Sequence, residues 1–91
     1  MQDQDIKNQI VAKMLRKRVI GAKKQQIDTV VSYSVPTHAE GRAKELVDEL
    51  VQAGVIEQYG GGHRSNVRLR SAELAIEYLS DNDGDVPFPF G

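Results

Sequence analysis

The chain has 91 residues, 40% of them hydrophobic, no cysteine and a net charge of −1. Such a length holds one domain, and the apolar content is that of a globular chain rather than a disordered one; without cysteine, a disulfide framework and a thiolate zinc site are both excluded. The polar, acidic start Met1-Gln2-Asp3-Gln4-Asp5 is unlike a secretory signal, and no apolar run reaches the ~18 residues of a membrane span, so the expectation is a cytoplasmic protein, nucleoid-associated if the source is prokaryotic.

The first periodic segment covers residues 5–18. Ile6, Ile10 and Met14 recur every four residues with Val11 and Leu15 beside them, which is the apolar face of an amphipathic helix. Lys13, Arg16 and Lys17 fall along one edge of that face. Val19-Ile20-Gly21-Ala22 then breaks the pattern as a loop or a very short strand. A second helix is expected over residues 24–34, with Ile27, Val30 and Val31 inward. It ends at Val35, because the residue before Pro36 is pushed into extended backbone.

The third helix, from residue 36 or 37 to residue 53, carries the clearest signals. Thr37 and Glu40 have the spacing of a capping box. Ala43, Leu46, Val47, Leu50 and Val51 give a sustained helical stripe, and Gly54 is placed to cap the end. Residues 55–59 and 66–70 read as two strands of a hairpin joined by Gly60-Gly61-Gly62-His63-Arg64-Ser65. In the second strand Val67 and Leu69 alternate inward while Asn66, Arg68 and Arg70 face out. A fourth helix follows over residues 71–80, capped by Ser71 and striped by Leu74, Ala75, Tyr78 and Leu79. The sequence thus divides into a domain over residues 1–80 and an irregular acidic and aromatic tail over residues 81–91.

Charge is unevenly spread. Residues 1–36 hold seven Lys and Arg against three acids, residues 59–70 hold three arginines and no acid, and residues 71–91 hold five acids and no base. A basic front and hairpin beside an acidic tail hint at a nucleic-acid partner.

This order of elements resembles the winged helix-turn-helix superfamily of DNA-binding domains. The stretch from Glu45 through Leu50, Gly54, Val55 and Ile56 to Glu57 looks like the passage by which such domains leave the recognition helix and enter the wing. The resemblance implies an α+β fold, mainly α: a three-helix core, a C-terminal β-hairpin wing and a C-terminal helix. It also implies a sequence-specific double-stranded DNA-binding protein, a transcriptional regulator, with the third helix in the major groove and the wing on the adjacent backbone or minor groove.

Carried over to this chain, the groove-facing positions are Thr37, His38, Gly41 and Arg42. Arg42 has the fork that pairs a guanine edge, Thr37 and the first N–H groups suit a phosphate, and Gly41 permits close backbone approach. His63, Arg64, Ser65 and Arg68 belong to the wing surface. Lys13, Lys17, Lys23 and Lys24 approach phosphates from the side. A homodimer would read two half-sites ~34 Å apart.

Blander roles compete at each position. Arg42 also has the spacing to pair with Glu45 on its own helix. The glycines also suit a plain hairpin turn, and the lysines a solvated helix end.

The third helix carries Glu45, Asp48 and Glu49 outward, so it either enters the groove by its amino end or does not serve DNA. The latter leaves a second function open, a winged-helix protein–protein interaction module or a subunit of a replication, transcription or plasmid-maintenance assembly. No enzyme is expected. His38 and Glu40 lack the cysteines of a zinc deaminase, no Ser/His/Asp set stands out, and no phosphate-loop pattern is present. No cofactor, metal, membrane or small-molecule partner is expected.

Overall fold

The computed structural model describes residues 1–60 and 65–90. Its elements are α1 (Asp3–Arg16), β1 (Gln25–Gln26), α2 (Ile27–Ser34), a 3₁₀ turn (Thr37–Ala39), α3 (Glu40–Gln52), β2 (Ile56–Tyr59), β3 (Asn66–Leu69) and α4 (Ala72–Asp81). The strands form one antiparallel sheet in the order β1-β3-β2, with Gln25 opposite Val67, Ile56 opposite Leu69 and Tyr59 opposite Asn66. Three helices, a hairpin and a closing helix make the fold a winged helix, mainly α, as the order of signals in the sequence led us to expect.

The core sits between the helices and the inner face of the sheet. Ile10, Val11, Met14 and Leu15 of α1 meet Val30 and Val31 of α2, Leu46, Val47 and Leu50 of α3, and Val67 and Leu69 of β3, all buried. In β3 the alternation holds, since Val67 and Leu69 are inward while Asn66 and Arg68 are only partly covered. Alternation matters here because a one-residue slip would turn the whole apolar set to solvent.

Helices α1, α3 and α4 stop by the same device. A residue with left-handed backbone follows each helix: Arg18 at φ 56°, Gly54 at φ 81° and Asp83 at φ 57°. The next residue then donates its N–H back into the last turn, Val19 to Met14 at 2.9 Å, Val55 to Leu50 at 3.1 Å and Gly84 to Leu79 at 2.7 Å. These bonds satisfy carbonyls that a helix end leaves free, and the apolar residue after the cap is pulled onto the core. Val19 and Val55 are both buried for this reason. The device ends α1 two residues before the expected residue 18. At the other end Asp5 extends the helix, its carboxylate accepting the Gln2 backbone N–H at 3.2 Å.

Two expectations are corrected. The second helix does not begin at Lys24: residues 25 and 26 form β1, and Ile27 starts α2 with its N–H bonded to the Ser65 carbonyl at 3.1 Å. Pairing to β3 outweighs the helical preference of two glutamines. The Thr37–Glu40 capping box is also absent. Residues 37–39 close as a 3₁₀ turn, with the Ala39 N–H donating to the Pro36 carbonyl at 2.9 Å, and Ala39 rather than Thr37 precedes α3. The tighter turn buries Ala39 against the core, and packing wins over the cap. At α4 the expected cap is present, the Ser71 hydroxyl accepting the Leu74 N–H at 3.1 Å.

After α4 the chain has no regular element, yet it packs. Pro87 is buried, and Val86 and Phe90 lie against the core. Gly84 sits so close to α4 and α1 that an added Cβ would fall 2.7 Å from Leu79 Cδ2 and 3.0 Å from Asn8 Cγ. Asn8 is itself fixed, its amide donating to the Asn82 carbonyl at 3.0 Å. No helix among the described residues is long and apolar enough to cross a membrane.

Candidate nucleic-acid interface

The wing's base gathers basic residues that the sequence keeps far apart. Strand pairing places Glu57 opposite Arg68, and Tyr59 opposite Asn66, on the outer face of the sheet. Lys24 precedes β1 on the same sheet. Its ammonium lies 4.0 Å from the centre of the Tyr59 ring, and the Arg68 guanidinium lies 5.1 Å from it. Arg68 is anchored further by a bond to the Gly21 carbonyl and by a 3.3 Å ion pair with Glu57. Its Nε is buried with no acceptor among the described residues.

A second cation–aromatic contact involves α1 and α2. Lys17, just past the end of α1, stands 4.7 Å from the Tyr33 ring of α2. Tyr33 donates its hydroxyl to Gln25 Oε1 at 2.6 Å, tying α2 to β1. Its burial pushes the phenol pKa up to about 12. Lys23 donates to the Lys17 carbonyl at 2.9 Å, so its ammonium neutralises the carbonyl end of α1. Lys17, Lys23, Lys24 and Arg68 therefore share one neighbourhood with Tyr33 and Tyr59. Contacts of this kind contribute only about 0.5–1 kcal/mol at exposed sites, but they hold flexible cations in place, which lowers the entropy lost on meeting an anion.

The start of α3 is different. Thr37 and His38 are exposed on the 3₁₀ turn, and Gly41 is exposed with nothing within 4 Å of where a Cβ would stand. Arg42 is occupied. Its guanidinium forms a fork on Asp3, at 2.5 and 3.0 Å, and a third bond to Glu45 at 2.6 Å. These bonds raise its pKa and lower that of Asp3. Lys44 pairs with Asp28 of α2 at 3.0 Å, and Lys7 of α1 pairs with Glu49 at 2.7 Å. Two of the three outward acids of α3 are thus answered by cations of the same chain. Between α2 and α3 lies a shallow groove of about 590 Å³ lined by Asp28, Thr29, Ser32, Tyr33, Glu40 and Lys44. Tyr33 links this groove to Lys17.

The remaining candidates divide. Ser65 is buried, and its carbonyl holds the start of α2, so its side chain is not on the surface. Lys13 lines the cavity beside the tail, apart from the contacts that hold Lys17, Lys23 and Lys24. His63 and Arg64 lie outside the described residues. The sequence pattern does not single out Tyr33, Tyr59 or Gln25. Their signal is weak because each gains meaning only through the pairing of β1 with β3. Among the described residues no group of three His, Cys, Asp or Glu side chains is placed to hold a metal ion. No protein-family model, no curated protein and no solved structure matches this chain.

Proposed function

We propose that the protein binds double-stranded DNA as a sequence-specific transcriptional regulator. Lys17, Lys23, Lys24 and Arg68 hold the phosphate backbone, and Thr37 and His38 of the 3₁₀ turn, with Gly41 in the first turn of α3, meet the major groove. The observation that carries this reading is the series of cations from Lys17 through Lys23 and Lys24 to Arg68, held by Tyr33, the Lys17 carbonyl and the Tyr59 ring. Phosphate contacts supply salt-dependent affinity and fix register, while side chains at the groove supply sequence preference. The pairing of Glu45 with Arg42 and of Glu49 with Lys7 supports the same reading, because it offsets the negative charge that would oppose the phosphates. The same pairing occupies the Arg42 fork, so His38 becomes the leading base-reading side chain, and Gly41 lets the α3 backbone approach closely.

The test is a titration of labelled duplex DNA at rising salt. The slope of log affinity against log salt is about −0.9 per phosphate neutralised. Replacing Lys17, Lys23 and Lys24 by Gln should make it shallower by roughly two to three, whereas Arg42→Ala should leave it nearly unchanged. Absence of duplex binding at low salt, or a triple variant with the parent's slope, rejects the reading.

A further inference from the structure

A cavity of about 660 Å³ runs between α1 and residues 83–88. Its α1 wall carries Lys13 and Arg16 beside one acid, Asp5, and its tail wall carries Asp83 and Asp85. None of these five forms an ion pair among the described residues. The rim is apolar. Phe88 is 92% exposed and Met1 54%, and Leu74 is the one other large hydrophobic side chain so exposed among the described residues.

Phe88 is not a loose end. Pro87 before it is buried, and Phe90 after it packs on the core with the Arg18 guanidinium 5.0 Å from its ring. The Phe90 N–H also donates to the Pro87 carbonyl at 2.8 Å, closing a turn that holds the Phe88 ring outward. A backbone held in this way loses little freedom on binding.

We propose that this surface is a two-fold interface with a second copy of the chain. Each Phe88 enters the cavity of the other copy, and Lys13 and Arg16 of one copy meet Asp83 and Asp85 of the other. A two-fold interface requires a self-complementary patch. This patch has a protruding ring beside an open cavity, and unpaired cations facing unpaired acids across it. The net charge of −1 sets no general repulsion between copies. The basic neighbourhood at the wing's base lies outside this cavity, so the pairing neither needs DNA nor depends on the DNA reading.

The test is sedimentation equilibrium of the full chain without DNA, from dilute to millimolar concentration. A dimer is expected, and Phe88→Asp should raise its dissociation constant at least roughly 30-fold, the loss typical of a central aromatic contact. Because Phe88 is exposed in the monomer, the variant should melt like the parent in dilute solution. Lys13→Glu and Asp85→Lys should each weaken association alone. Mixed one to one they should associate more tightly than either does by itself, since the mixed pair restores opposite charges at both contacts. A parent that stays monomeric overturns the proposal. So does a dimer indifferent to Phe88→Asp, or a mixture no tighter than its components.

Discussion

Arg42 is held by carboxylates from two elements, Asp3 at the start of α1 and Glu45 on its own helix. The fork on Asp3 closes the first turn of α1 onto α3, at the surface, where solvent and salt screen it. The Asp3 carboxyl is lowered by that partner, so its small contribution is present above its usual pKa near 3.8 and fades as pH falls below it. Tyr33 works on the alkaline side. Its phenol is raised to about 12 by burial, so folding favours the neutral form. The stabilisation is complete below the ordinary value of 10.0 and is lost as pH climbs from there toward about 12. An absorbance titration of the parent against Tyr33→Phe should show the Tyr33 phenolate emerging only near the upper value, and emergence at the ordinary one would refute the packing assigned to it. Gly84 offers a sharper steric test. Alanine there would drive its Cβ into Leu79, which is fully buried, and into the hydrogen-bonded Asn8. Overpacking of that kind costs about 1–2 kcal/mol, or a fall in Tm of several degrees for a domain of this size, readable in a thermal melt.

At the scale of elements, α3 shows what the sequence could and could not carry. Its stripe from Ala43 to Leu50 and its stop at Gly54 were legible because both rest on local rules, helical spacing and the tolerance of glycine for positive φ. Its start was not legible. Thr37 and Glu40 had the right spacing for a capping box, but Ala39 had a place in the core, and only the assembled fold decides such a contest. β1 was illegible for a similar reason, since two glutamines become a strand only when Asn66 and Val67 are beside them. Gly41 remains the odd residue of α3. It is exposed, helical and without neighbours, so Gly41→Ala should stabilise the free protein by up to ~1 kcal/mol through helix propensity alone. If the α3 backbone approaches DNA there, the same change should weaken duplex binding while raising Tm. Opposite movement of the two measurements would mark a position kept for contact rather than stability. A rise in Tm with unchanged affinity would remove Gly41 from the interface.

For the whole molecule, the basic neighbourhood was foreshadowed by the charge map but not located by it. Lys13 and Lys17 are one helical turn apart, yet one lines the cavity beside the tail and the other stands over the Tyr33 ring. Arg68 joins Lys24 only through the sheet. Composition marks the tail as an irregular segment and cannot show that Pro87 is buried and that Val86 and Phe90 pack against the core. A chain of this size has little stability to spare, since small domains bury a modest fraction of their surface and total stability is about 5–15 kcal/mol. Partial burial of three apolar side chains corresponds to about 2–4 kcal/mol, so removing residues 84–91 should lower Tm by at least roughly 10 °C. Truncation also removes Phe88, and dimerisation by itself raises Tm through mass action. The comparison must therefore be made in dilute solution and against Phe88→Asp, which deletes only the exposed ring. A truncated chain that melts with Phe88→Asp would make the tail an appendage, and one that melts well below it would make residues 84–90 part of the folded unit.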